Sequence, residues 1–332
     1  MKIKVTTPSW PANKNIDEYT GTGNTYKDSI FYINSHIDDP DVWFITDFLY
    51  NDTNECSINS NNIFFLSCET GFFTKWWEKD NSKSFLNNFS KIFTFYDIPG
   101  NNVYRHQPFQ YWTINGFHGF SDFEINNYGI DFYKKTIFQK DKKLSTIHAE
   151  RNNIPGHKRR LDFLYYLEEN LEDFDWFGSS KAWSENIKKH WAGEKIPGGR
   201  NKIDFLKRYK YNIAIENNIG PDIFSEKIID SFLSLSYPIY FGATNIDKYF
   251  PMNSYININI DKPKESLEKI KEILNSNYYE ENFDHLLEAR DLCLTKYNLI
   301  DRIYNLAKEN FVYGKKEKIK ISPDFKCHFG ED

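Results

Sequence analysis

The sequence predicts an α/β protein of two domains, on three observations. The chain has 332 residues, more than a single domain usually holds. Short apolar runs of strand length alternate with Asn-, Asp- and Gly-rich loops through its first half, the pattern of an open α/β sheet. Residues 209–251 read as strand, polar loop, helix, strand, the order of a β-α-β unit. A hydrophobic content of 40%, with 29 Phe and 22 Tyr, is enough to fill two cores.

Residues 3–6, 42–46, 63–67 and 92–95 read as strands, and 85–89 and 128–138 as helical or mixed connectors. Residues 59–62 and 99–102 are turn signals. The pattern changes at about Asp141, where a strand-like piece (147–151) is broken by Pro155 and Gly156 and followed by a helix over 160–170. A short strand over 176–178 ends in Gly, and Gly198 and Gly199 mark a loop before 201–209. In the β-α-β unit, 211–215 and 237–241 are the strands, and Ile228, Ile229, Phe232, Leu233 and Leu235 recur at helical spacing between them. Amphipathic patterns follow over 264–274 and 281–311, and 313–322 is basic and reads as a peripheral tail. The expected boundaries are therefore 1–143, 144–312 and a tail over 313–332.

Composition narrows the function classes. A net charge of −5 and a pI near 6.0 argue against a general nucleic-acid binder. The first ten residues hold no leader-like apolar run, and no stretch of about 18 apolar residues occurs, so a soluble, intracellular (cytoplasmic) protein is expected. Cys56, Cys68, Cys293 and Cys327 lack CxxC or zinc spacing and read as free thiols of a reducing compartment. In that compartment the sequons at Asn51 and Asn88 carry no meaning.

The β-α-β unit also predicts chemistry. Ser225 is a good N-cap, which places Glu226 and Lys227 in the first turn of the helix that follows a parallel strand. Free backbone N–H groups, the positive end of the helix dipole and a lysine then meet at one point, which suits a diphosphate. A second basic group, His157 to Arg160, opens the helix of 160–170 and on composition alone is equally a solvated cluster. Asp38-Asp39-Pro40-Asp41 and Asp173-Phe174-Asp175 look like metal-binding acidic motifs but are ordinary acidic loops, and His148 and His157 have no third ligand. No metal site is expected.

The strings "YKYNIAIEN", "SEK" and "PIYFGA…YFP" together resemble the donor-binding signature of the α-1,3-fucosyltransferases, family ten of the glycosyltransferases. That signature runs roughly Y-K-F-x-[LI]-x-F-E-N, then [VI]-T-E-K, then P-[VI]-x-x-G, and the match covers residues 209–251 with a weaker likeness beyond. The resemblance implies the GT-B architecture: two Rossmann-like domains facing a cleft, with a C-terminal helix packing back. It implies a metal-independent, inverting enzyme without a cofactor, which uses GDP-fucose as donor and a hydroxyl of an oligosaccharide or glycoconjugate as acceptor. N-acetylglucosamine or glucose in α-1,3-type linkage is the expected acceptor sugar, within a surface or lipopolysaccharide-type glycan. It also implies the soluble bacterial or viral branch, with a peripheral contact of the basic tail at the inner membrane face left open, as is the oligomeric state.

Residue by residue, the resemblance puts Arg160 and Lys227 on the diphosphate, with Arg159 as the fallback one position away. Asn217, after Glu216, contacts the donor, and Ser225 keeps the hydroxyl of the family's Thr. Glu226 stabilises positive charge at the anomeric carbon; a first-turn carboxylate otherwise only complements the dipole, worth a few tenths of a kcal/mol. Glu69 is the candidate general base, at the end of a strand where the family has E-S-P and this chain has Glu69-Thr70-Gly71. An aromatic two residues before the Thr is replaced by Ile223, so its contact to the donor is either lost or taken over by Phe224. Trp76, Trp77, Arg105, His106 and Tyr111 are candidates for an acceptor platform. Two other readings compete: a GT-B glycosyltransferase using another nucleotide sugar, and a catalytically silent glycan-binding protein of the same fold.

Overall fold

The computed structural model describes residues 1–7, 24–47, 49, 54–68, 76–109, 129–149, 152, 154–178, 190–194 and 202–322. The chain forms two compact units, Met1–Gln110 with Lys296–Asp332, and Tyr111–Thr295.

The first unit contains β1 (Lys2–Thr6), β2 (Thr25–Tyr26), β3 (Ser29–Ile33), β4 (Val42–Thr46), β5 (Asn54–Ile58), β6 (Ile63–Leu66), β7 (Lys91–Thr94) and β8 (Val103–Arg105). Its sheet runs β2-β3-β1-β4-β6-β7-β8 and is parallel except for the β2–β3 pair. β4 and β6 are buried along their whole length, so they read in sequence as continuous apolar runs rather than alternating ones. The helix Asp80–Leu86 lies between β6 and β7 and sets Phe85 edge-on to Phe65 and to Phe89, part of one aromatic core.

The second unit contains β9 (Lys142–Ile147), β10 (Asp175–Gly178), β11 (Trp191–Glu194), β12 (Tyr209–Gly220), β13 (Tyr237–Ala243) and β14 (Ile256–Asn257). All pairs are parallel, in the order β11-β10-β9-β12-β13-β14. This is the doubly wound order whose direction reverses between its first and fourth strands, here β9 and β12. Ligands of such sheets sit outside the carboxyl ends of the strands at that reversal. The helix Pro155–Asn170 follows β9 and the helix Glu226–Leu233 follows β12. After Pro263–Leu274, Tyr278–Glu281 and Phe283–Leu294, the chain re-enters the first unit as the helix Leu299–Asn310 and β15 (Glu317–Ile321).

Several expectations need correction. The unit boundaries fall at 110/111 and 295/296 rather than 143/144 and 312/313. Residues 129–143 go with the second unit, where Arg290 donates to the carbonyls of Thr136 and Lys134. The last helix goes with the first unit because its polar side chains are tied there. Tyr26 and Lys27 both donate to Asp301, Arg302 donates to Pro108 O at 2.9 Å, and Lys308 pairs with Asp28. The pattern over 281–311 is two helices, not one, broken at Thr295 and restarted by Asn298, whose side chain caps Ile300 and Asp301. The basic tail is partly β15, paired antiparallel with β5, with Ile321 in the core. Gly156 does not break a strand but sits in the first turn of the helix, with Pro155 at a position that has no N–H to lose. The strands β2, β3, β5, β8, β11 and β14 were not foreseen, and β9 runs over Lys142–Ile147 rather than 147–151.

Candidate functional site

β12 does not end at Ile215. Its register with β13 jumps from Ile215↔Phe241 to Gly220↔Ala243, so residues 216–219 bulge opposite the single residue Gly242. A bulge of this kind bends a strand and re-aims its side chains. Here it turns Glu216 inward, 3% exposed, and leaves Asn217 half-buried beside the Pro155–Asn170 helix.

Arg160 fixes one side of the site. Its helix places it one and a half turns in, buried, where Nη2 donates to the carbonyl of Ala149 at 3.2 Å and Nη1 donates to Oδ1 of Asn217. One guanidinium thus joins the segment after β9 to the bulge of β12, across the strand reversal. Arg159 points elsewhere: it pairs with the exposed Asp261 and lies over the Phe241 ring at 5.7 Å, so the fallback assignment is not needed. Gly156 lets the helix approach this closely. A β-carbon there would fall 1.6 Å from the carbonyl oxygen of Asn217.

The other side is the start of the Glu226–Leu233 helix. Ser225 is the N-cap, as the sequence predicts, in extended backbone with its hydroxyl accepting from the Lys227 N–H at 3.4 Å. Nζ of Lys227 donates to Ser225 Oγ at 3.0 Å and to Glu226 Oε1 at 3.2 Å, and lies 3.6 Å from Glu216 Oε2. Glu216 accepts from both the backbone N–H and the hydroxyl of Ser225, at 2.8 and 2.5 Å. Burial works to lower the pKa of Lys227, but Glu226 and Glu216 outweigh it and hold the ammonium above its ordinary range; Arg160 is close enough to push the other way. Burial holds the Glu216 carboxyl above its usual range, although Lys227 pulls it down.

Beneath the site the helix is fastened to the sheet by a buried polar chain. Ser145 donates to Asn212 Oδ1 at 3.1 Å, Asn212 Nδ2 donates to Ser231 Oγ at 2.9 Å, and Ser231 donates to the Lys227 carbonyl at 2.9 Å. Sequence reasoning gave Asn212 no part. The signal was present, an Asn inside an apolar strand run, since an asparagine buried there needs hydrogen-bond partners. Gly242 stands within the resemblance, but its reason is visible only here. A β-carbon on it would fall 2.3 Å from the Tyr240 hydroxyl and 2.4 Å from Glu216 Cγ.

The structure therefore brings Arg160, Asn217, Ser225, Glu226 and Lys227 to one edge of one sheet. It does not bring Phe224 there. That ring is buried against Tyr249 and Phe250, at 4.9 and 5.6 Å, so it takes over no contact from Ile223. Glu69 and Tyr111 lie outside the described residues, as does the side chain of Trp76. Trp77 packs on the first unit's core against Tyr96, Arg105 pairs with Asp97, and His106 stacks on Phe109 and contacts Arg302. These three are occupied structurally and form no platform of free aromatic faces. Asp39 and Asp41 are engaged by Lys2 and Lys316, and Asp175 by Lys142 and Tyr209. Among the described residues, no cluster of His, Cys, Asp and Glu is arranged to hold a metal ion, and no helix is long and apolar enough to cross a membrane.

This architecture is shared with solved glycosyltransferases. An α1,3-fucosyltransferase crystallised with GDP is 17% identical with a TM-score of 0.50, over 94% of this chain and 91% of that one. An α-glucosyltransferase in complex with UDP and a 13-mer DNA is 9% identical with a TM-score of 0.51, over 93% and 100%. The fold class is GT-B, as the resemblance implies. Residues 139–288 match the family model described as glycosyltransferase family 10 (fucosyltransferase) C-term, which spans the whole site built above. An α-(1,3)-fucosyltransferase of Helicobacter pylori is 41% identical over 59 residues, 18% of this chain and 12% of that protein. The 4-galactosyl-N-acetylglucosaminide 3-α-L-fucosyltransferase 9 of Mus musculus is 28% identical over 100 residues, 28% of each. Residues 139–288 are thus similar to the C-terminal domain of glycosyltransferase family 10, and the chain's matches span 12% and 28% of the length of those two relatives.

Proposed function

We propose that this chain transfers fucose from GDP-fucose to a hydroxyl of a glycan acceptor with inversion at the anomeric carbon. The observation that carries the reading is the meeting of Arg160 with Asn217 across the strand reversal, beside a helix start that presents Lys227. The family-model match over residues 139–288 and the fold shared with a fucosyltransferase crystallised with GDP support it.

In this reading the diphosphate lies at the start of the Glu226 helix, with Arg160 and Lys227 as its cations. The acceptor oxygen attacks the anomeric carbon from the face opposite the diphosphate while Glu69 takes its proton. The bond from that carbon to the β-phosphate oxygen breaks, and its electron pair leaves with GDP. Charge gathering on the leaving group is met by Arg160, Lys227 and the backbone N–H groups at the start of the helix, fixed before the reaction begins. Glu226 faces the positive charge that develops on the sugar, and Asn217 and Ser225 orient the donor. No step is assigned to a metal or cofactor. The acceptor is an N-acetylglucosamine- or glucose-containing oligosaccharide or glycoconjugate, and the protein acts in the cytoplasm.

Incubation with GDP-fucose and a glycan panel, read by mass spectrometry, tests the reaction; a deoxyhexose added to an acceptor is the expected product. Calorimetry with GDP tests the site: Lys227→Ala should weaken binding at least tenfold, and unchanged binding would place the donor elsewhere. Thermal shift against GDP, UDP, ADP and CMP separates the other nucleotide-sugar donors, and donor binding without turnover would mark a silent glycan binder.

A further inference from the structure

Ser225 stands between a carboxylate and an ammonium. Its hydroxyl donates to Glu216 Oε2 at 2.5 Å, and the same oxygen accepts from Lys227 Nζ at 3.0 Å. A hydroxyl has one proton and two lone pairs, an ammonium only donates and a carboxylate only accepts. With the single proton committed to Glu216, the lone pairs are left to Lys227. The direct separation of Lys227 Nζ from Glu216 Oε2 is 3.6 Å, longer than a hydrogen bond, so the hydroxyl is the shorter link between them.

We propose that Glu216 is a positioning residue: it sets the Ser225 hydroxyl as an acceptor and thereby holds the Lys227 ammonium ready for the donor's diphosphate. This rests on the donor-site reading above. The carboxylate is itself held from every side. The bulge in β12 turns it inward, the Ser225 N–H donates to its other oxygen at 2.8 Å, and the absent β-carbon of Gly242 leaves room for its Cγ. The charged and titratable groups facing it are Lys227 and Glu226 from the helix and Tyr240 from β13.

Glutamine fills the same volume but cannot do the same work. Its carbonyl can keep the Ser225 N–H, but its amide would then donate to Ser225 Oγ. The hydroxyl proton would be driven round toward Nζ, setting a donor against a donor. The lysine would lose its nearest acceptor without any change in the core's packing.

The test is a double-mutant cycle on GDP affinity, by calorimetry on the full chain, with the thermal midpoint of each variant recorded. Glu216→Gln should weaken GDP at least tenfold. Ser225→Ala should weaken it several-fold, and Glu216→Gln added to Ser225→Ala should cost less than a further twofold, since the relay is already gone. Ser225→Thr, which keeps a hydroxyl, should recover most of what Ser225→Ala loses. Equal losses from Glu216→Gln on both backgrounds, or affinity within twofold of the parent, would overturn the proposal. Should Glu216→Gln not fold, the serine pair decides: Ser225→Ala binding GDP as the parent does refutes the relay. Lys227→Ala separates the two levels. If it too binds GDP normally, the donor-site reading fails and this inference with it; if it weakens GDP and Glu216→Gln does not, only the relay is wrong.

Discussion

The carbonyl oxygen of Asn217 lies 1.6 Å from where a β-carbon on Gly156 would stand, so the helix after β9 and the bulge of β12 touch backbone to backbone. That contact brings Arg160 within reach of Asn217, and it tolerates no side chain. Gly156→Ala must push the helix start or the bulge aside. We expect a cost of about 1–3 kcal/mol in stability, as for other overpacked sites. GDP affinity should fall at least tenfold, because Arg160 and Asn217 separate. Chemical denaturation and calorimetry on the same preparation check both; a variant with parental GDP affinity would show that the Arg160–Asn217 contact is not needed for the donor.

Adjacent arginines should behave oppositely. Arg160 is buried and gives its donors to Ala149 and Asn217, whereas Arg159 is at the surface with Asp261. Hydrogen bonds to a charged group contribute about 1.5–3 kcal/mol and exposed ion pairs about 0–1 kcal/mol. Arg160→Ala should therefore lower GDP affinity by at least tenfold and Arg159→Ala by no more than about twofold. The reverse order in a titration would return the phosphate role to Arg159.

The central strands and the helix carrying Lys227 were legible because burial on both faces writes continuous apolar runs and because Ser225 is an unambiguous cap. The extension of β12 was hidden, since Glu216, Asn217 and Asn218 are polar and read as loop. They are polar because they build the site, which is where local rules are expected to fail. The reasons for Gly156 and Gly242 were also invisible. Each is explained by an atom brought close only by the fold, Asn217 O in one case and Glu216 Cγ in the other. β15 carried a signal that net charge obscured: Lys318-Ile319-Lys320-Ile321 alternates with the period of a strand, not of a free tail.

That strand supplies a stability prediction. Ile321 is 1% exposed within the core of the first unit, while Lys318 pairs with Glu55 at the surface. Ile321→Ala should cost about 2–5 kcal/mol, as buried Ile-to-Ala truncations do. Lys318→Ala should cost no more than about 1 kcal/mol. Thermal or urea unfolding of the two variants distinguishes a structural strand from a dispensable tail; equal, negligible effects would mean that β15 contributes nothing to the fold.

The last expectation concerns pH. Burial works against the charge of Lys227, and Glu226 and Glu216 more than restore it, so its pKa in the folded protein is held above its ordinary range. A base with a raised pKa keeps its proton at every pH below its ordinary value and loses it only above the shifted one. The cation proposed to face the diphosphate is therefore complete throughout the neutral and mildly alkaline range. GDP affinity should stay flat, within about twofold, between pH 7 and 8.5, where the second ionisation of a phosphate (pKa about 6) is already finished. Calorimetry across that range measures it. A fall in affinity with an apparent pKa inside the range would mean that burial, not the two carboxylates, sets the charge of Lys227. It would also mean that Glu216 and Glu226 do not hold the ammonium as the geometry indicates.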